Sequence, residues 1–417
     1  MLVHWIWFAH RPGLSDREKG ILLQHFRDPE EIYYADGGVF DHISGLRPET
    51  RETLQDKNLT EAEKTLATCE RERIHLLTIR DAAYPARLKN IGDPPVLLYY
   101  KGRLPDFDGS PVIGVVGTRK ASAYGMQTAK RMGYQIGNCG GIVVSGMAYG
   151  IDAMAMSGAL TAGQTVVGVL GCGVDIMYPV SNKGLFRDTE QYGCILSEFA
   201  PGTPPAPWTF PKRNRIISGM SCGVLIVEAP EKSGALITAH LALEQGRDVF
   251  VVPGNIDQPT CVGSNRLMRE GAIPVSHGWD VLSEYESLYP DKLRKDLSAS
   301  HMRVYASEMA AAKREEKPAK VAQKPKTPRK NGDDDGKISK KDIDKAASSP
   351  YIDLQDTLDK LSAEERTIVE TLRNGERLVD DVIAETGLTT GKLLALLTML
   401  ELKGVIRRLP GKRIVLK

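Results

Sequence analysis

The chain is short of several features that would settle an interpretation early. Its six cysteines stand at 69, 139, 172, 194, 222 and 261, and no two have C-x-x-C spacing, so neither a zinc site nor a redox pair is indicated. Thiols placed this way read as reduced residues of a cytoplasmic protein, most of them buried. Charge of one sign is also missing. With 55 lysines and arginines against 53 acids, the formal net charge is only +2, so an anionic partner can be argued only from where the cations fall. The apolar start, Leu2-Val3-His4-Trp5-Ile6-Trp7-Phe8, is too short and too poor in basic residues for a signal peptide. No later stretch has the length of a membrane span, which leaves no expected membrane partner.

What is present has a clear order. Residues 1–73 read as a small helical domain. Ser15 and Glu18 have capping-box spacing ahead of Ile21, Leu22, Leu23 and Phe26, and further helix starts fall near Pro29 and Leu59. Residues 74–290 alternate short apolar strands with helical segments: strands at 112–116, 142–144, 166–170, 195–196, 224–227 and 249–252, and helices at 125–138 and 151–162. Such strands are buried on both faces, and right-handed crossovers between them make an α/β domain, a Rossmann-like doubly wound parallel sheet. Residues 291–350 mix Lys, Arg, Ala and Pro before Asp333-Asp334-Asp335, a composition unable to build a core, and are expected to be a disordered linker. Residues 351–417 predict helices at 366–372, 379–386 and 390–403, then a hairpin across Pro410-Gly411, the pattern of a winged helix.

Three segments carry chemistry. The first strand–helix turn is Gly114-Val115-Val116-Gly117-Thr118-Arg119. It lacks G-x-G-x-x-G and G-x-x-x-x-G-K-[ST], which argues against dinucleotides and Walker-type triphosphates. It offers instead a cation beside a glycine that lets backbone N–H groups approach an anion. The second turn, Ser145-Gly146-Met147-Ala148-Tyr149-Gly150-Ile151-Asp152, has the small residues of a phosphate-sized nest, and Asp152 can cap the helix that follows. The third is Phe210-Pro211-Lys212-Arg213-Asn214-Arg215. Three cations in four residues beside Trp208 and Phe210 combine backbone neutralisation with stacking surface, the two needs of a single-strand binder. Read as an extended segment, it sets Lys212 on the face of Phe210, toward the strand. Arg213 and Arg215 then share the opposite face, one of them pinning the loop through Glu198 or Glu228. No catalytic constellation assembles: His240 reads as structural, Ser145 is not in a G-x-S-x-G elbow, and no metal-ligand cluster occurs. The expectation is a binding protein that has no covalent chemistry, cofactor or metal.

In this order, the motifs resemble the DNA-processing protein A family (DprA, also called Smf). The match runs through the turns above, Gly171-Cys172-Gly173-Val174-Asp175-x-x-Tyr178-Pro179, Ser197-Glu198, Phe210 to Gly219, Ser233 to Ala239, Pro253-Gly254 and Gly263-Ser264-Asn265. The resemblance implies a protein that binds single-stranded DNA, forms a homodimer through its Rossmann-like domain and helps load the RecA recombinase in natural transformation. It implies a DNA-binding pocket built from Gly117, Thr118 and Arg119 with Phe210, Lys212, Arg213, Asn214 and Arg215; the turn at Ser145, Gly146 and Gly150 is taken with them. The chain departs from its relatives at Tyr149, Met156 and Ser157, where Arg, His and Arg are frequent, so that helix is less basic.

Two other classes remain open. Related Rossmann variants are nucleotide-monophosphate phosphoribohydrolases that depend on P-G-G-x-G-T-x-x-E, whereas here Pro253-Gly254 continues Asn255-Ile256-Asp257. A duplex-DNA regulator with a ligand-sensing α/β domain would use the winged helix. The 390–403 helix, however, carries only Lys392 and Lys403 as cations, while Arg407, Arg408, Lys412 and Arg413 gather on the hairpin.

Overall fold

The structure is a computed structural model that describes residues 1–295 and, toward the C-terminus, much of 363–416. The described residues fall in two units, one within 1–320 and the other within 321–417. The expected linker at 291–350 lies outside the described residues from 296 onward.

In the first unit nine strands form one sheet in the order β1-β2-β6-β5-β4-β3-β7-β8-β9. The seven parallel strands are β3 (Val112–Val116), β4 (Ile142–Ser145), β5 (Val166–Leu170), β6 (Cys194–Ser197), β7 (Gly223–Ile226), β8 (Asp248–Val251) and β9 (Ile273–Pro274). The chain runs outward from β3 to β6, then returns to place β7 on the free side of β3. A crevice therefore opens at the carboxyl ends of β3 and β7, where strand order reverses. β1 (His75–Thr78) and β2 (Leu97–Gly102) extend the edge beyond β6 as antiparallel strands. The sheet is thus mixed and dominantly parallel, and these two strands are an addition to the wholly parallel sheet that the sequence suggests.

Burial follows the two-residue period of a strand. Ile113, Val115, Val143, Leu225 and Val227 enter the core on one face; Val112, Val116, Val144, Val224 and Ile226 enter the core on the other. The first core also takes in the N-terminal helices, including Phe8, Leu22, Ile32, Phe40 and Leu54. The apolar start is therefore interior packing: it forms the helix Leu2–Ala9, whose Trp5, Ile6, Trp7 and Phe8 are buried. The Ser15–Glu18 capping box is formed. Glu18 also accepts from Arg47 at 2.8 Å and Thr50 at 2.6 Å. Although burial works against its charge, these hydrogen bonds hold its carboxyl well below the usual range.

The second unit has helices Ala363–Thr371 and Val379–Thr386, with strands β10 (Arg377–Leu378), β11 (Ile406–Leu409) and β12 (Arg413–Leu416) in the order β10-β12-β11. Ile368, Val382, Leu393, Leu397, Ile406 and Ile414 make its core. This is a winged helix; most of its 390–403 segment lies outside the described residues. No described helix of either unit is long and apolar enough to cross a membrane.

Candidate nucleic-acid interface

A cleft of about 620 Å³ opens at the reversal point of the sheet, with Gly117, Thr118 and Arg119 on one wall and Phe210, Arg213 and Asn214 on another. Its size is that of ordinary ligand sites, ~300–1,000 Å³. The helix Gly234–Glu244, capped by the Ser233 hydroxyl accepting from the Ala235 amide at 3.2 Å, ends its positive pole at the same opening.

The turn after β3 is tightly fixed. A Cβ on Gly117 would come 2.5 Å from Ile151, so only glycine lets the turn approach the helix Ile151–Thr161. Gly150 has φ +75°, and a Cβ there would meet the Thr118 carbonyl at 2.5 Å. Glu228, buried at the end of β7, holds the far side of the turn. Its carboxylate accepts from the Ser122 amide at 2.9 Å, its carbonyl accepts from the Thr118 amide at 2.8 Å, and Ser122 caps the helix Ala123–Asn138. Glu228 therefore serves this turn, not an arginine. Arg119, held between these anchors, is exposed, and its guanidinium stands 4.8 Å from the centroid of the Phe210 ring.

The third segment is helical where the sequence reading took it as extended. Thr209–Met220 is a single α-helix, and Pro211 is tolerated because it falls in the first turn, where an N–H would lack an intrahelical partner. Helical spacing redistributes the side chains. Phe210, Arg213 and Asn214 face the cleft, whereas Lys212 and Arg215, three apart, turn away from it. Arg215 donates to Glu198 at 2.7 Å, to Asp93 at 3.0 Å and to Asp16 at 3.3 Å. Lys212 pairs with Asp16 at 3.2 Å and Glu198 at 3.6 Å. The expectation that an arginine pins this region through Glu198 fits Arg215. The placement of Lys212 beside Phe210 is corrected: it lies with Asp16 of the N-terminal helical segment and Glu198 just after β6.

Arg213 is buried. It donates to the Gly146 carbonyl at 2.9 Å, to Asn214 at 3.1 Å and to the Val169 carbonyl. Burial draws its pKa down, and the facing Asp152 opposes that shift. Asp152 in turn accepts from the amides of Ala148, Gly117 and Gly146, the last at 3.2 Å. The nest expected at the second turn is therefore filled from within by a carboxylate. Ser145 is also internal, donating to the Val115 carbonyl at 2.6 Å. Gly254 makes a reciprocal pair with Asn265 at 3.1 Å in each direction, so the loop that would hold phosphate in a phosphoribohydrolase is engaged by a side chain.

A model described as DNA recombination-mediator protein A matches residues 75–286, and one described as the DprA winged helix domain matches 353–412. Protein Smf of Synechocystis sp. is 31% identical over 98% of this chain and 97% of its own. The chain belongs to the DNA recombination-mediator protein A family. Another DprA/Smf relative, the DNA processing protein DprA of Bacillus subtilis, is 40% identical over 53% of this chain and 74% of its own length. The X-ray structure of DprA from Streptococcus pneumoniae matches with a TM-score of 0.61 at 34% identity, covering 68% of this chain and 98% of that one. Membership makes this a DNA-processing protein with a Rossmann-like domain and a winged helix. Within the DprA-like cleft, sequence reasoning gave no role to Tyr178, whose ring packs beside Phe210, or to Lys232 and Ser233 on the β7 side. The signal for Tyr178 was an aromatic in the loop that follows β5, on the side where the carboxyl ends of the strands open on the crevice.

Proposed function

We propose that this cleft binds single-stranded DNA, with Arg119 meeting a phosphate and an unstacked base resting on Phe210. The observation that carries the reading is the exposed Arg119 guanidinium poised 4.8 Å from the Phe210 ring at the mouth of the cleft. A cation and a π-face at one opening suit a nucleotide whose base is free, which a duplex does not offer. Gly117 and Gly150 let the backbone come close, while Thr118 and Asn214 add polar groups at the wall. Arg213, with Gly146 and Ser145, fixes the floor from below. Lys212 and Arg215 hold the helix against the N-terminal segment and reach the strand only indirectly.

On this reading the protein positions a strand and does no covalent chemistry. Its product is a strand presented to the RecA recombinase in the cytoplasm during transformation, by a homodimer formed through the Rossmann-like domain. The test is competition between a single-stranded oligonucleotide and its own duplex for the full chain, at two salt concentrations. Preference for the single strand supports the reading; equal or stronger duplex binding overturns it. Light scattering of the free protein tests the dimer, and a strand-exchange assay with RecA tests the hand-over.

A further inference from the structure

Phe210 is one ring of a series. Tyr178 lies 5.7 Å from it between centroids, tilted by 32°, within the range of favourable aromatic pairs, and is 37% exposed. Tyr149, 47% exposed, borders the same narrow cleft as Arg119 and Tyr178. Asn182 ties the two tyrosine segments together by donating to the carbonyls of Met147 at 3.0 Å and Ala148 at 3.4 Å. The turn that carries Tyr149 and the segment that carries Tyr178 are thus joined into one surface.

The charge on this side of the cleft is unusual for a nucleic-acid path. From Met132 to Asn182 there is no lysine or arginine. Of the two acids in this stretch, Asp152 is buried among backbone amides, and Asp175, though exposed, is turned to the Gly202 amide, from which it accepts at 2.9 Å. Beyond Arg119, the lining of this narrow cleft offers no exposed cation, and its exposed groups there are the tyrosine rings. Stacking is the one strong contact with DNA that such a surface provides.

Building on the single-strand reading above, we propose that the strand leaves the Arg119–Phe210 opening across Tyr178 and Tyr149, which stack the following bases. One half of the path is then ionic and the other half is held by stacking, so the affinity gained from longer oligonucleotides is nearly independent of salt.

The experiment measures the affinity of the full chain for a length series of oligo-dT over a salt series, in wild type, Tyr149→Leu, Tyr178→Leu, Tyr149→Phe, Tyr178→Phe and Arg119→Ala. Each Leu variant is expected to bind the longer oligomers roughly 5- to 150-fold more weakly, the worth of one stacked base, with the salt slope unchanged. The Phe variants should restore binding. Tyr149→Arg should instead steepen the slope by about 0.7, as one new phosphate contact would. In the unaltered protein, 5-iodouracil oligonucleotides should cross-link to Tyr149 or Tyr178, a readout that needs no substitution. If Arg119→Ala weakens binding while both Leu variants and the cross-links show no role for the tyrosines, this path is wrong and the cleft stands. If Arg119→Ala changes nothing, the single-strand reading itself has failed.

Discussion

Arg213 donates to the Gly146 carbonyl at 2.9 Å, joining the middle of the cleft helix to the turn after β4. Asp152 faces the same guanidinium from a fully interior position. Removing the guanidinium leaves the buried Gly146 and Val169 carbonyls without their donor, at about 1–3 kcal/mol. Arg213→Ala should therefore lower stability by that amount in denaturant melts, with DNA binding lost in proportion to unfolding. A variant that melts like wild type but binds weakly would instead make Arg213 a direct contact.

Gly117 is required by shape. A Cβ there would sit 2.5 Å from Ile151, and overpacking of this kind costs about 1–3 kcal/mol. Gly117→Ala should be destabilised to that degree and should displace Arg119. Adding Ile151→Gly removes all three clashing atoms, Cγ1 at 2.5 Å, Cβ at 2.7 Å and Cγ2 at 2.8 Å, so the double variant should recover part of the loss, a coupling that a double-mutant cycle measures. Strict additivity of the two changes would contradict the contact.

The acid side of the helix gives a pH dependence. Burial raises the Asp16 carboxyl, but Lys19, Lys212 and Arg215 outweigh it and hold the pKa down to about 2, against 3.8 ordinarily. The folded value lies below the unfolded one. The contribution of about 2 kcal/mol is therefore complete above roughly pH 4 and disappears as pH falls through about 2. Melts of wild type and Asp16→Asn between pH 2 and 5 should converge at the acid end and diverge at the neutral end. Parallel curves would show that Asp16 has no such coupling.

The fold was legible because parallel strands covered on both faces leave near-continuous apolar runs, and the 112–116 and 166–170 strands match the observed β3 and β5. β1 and β2 were missed because they precede the regular strand–helix alternation and add antiparallel to the sheet: β1 is a four-residue edge strand, and β2, although it carries Leu97-Leu98-Tyr99, has no crossover helix leading to β3. At the cleft, Gly117, Arg119 and Phe210 announced themselves by residue type. The roles of Lys212, Arg213 and Arg215 did not, since they depended on whether Pro211 stood before a helix or inside its first turn. A proline satisfies both positions, and the choice rotates every side chain after it. The internal carboxylate was likewise invisible: Asp152 as a simple helix cap and Asp152 as the occupant of the nest have the same sequence.

The most direct test of the central claim, that Arg119 and Phe210 together hold a single strand, is the salt dependence of oligo-dT affinity for wild type, Arg119→Ala and Phe210→Ala. The account predicts that Arg119→Ala shallows the slope of log affinity on log salt by about 0.7, and that Phe210→Ala loses about 1–3 kcal/mol with the slope unchanged. Thermal melts should show both variants folded. Two folded variants with wild-type affinity and slope would contradict it.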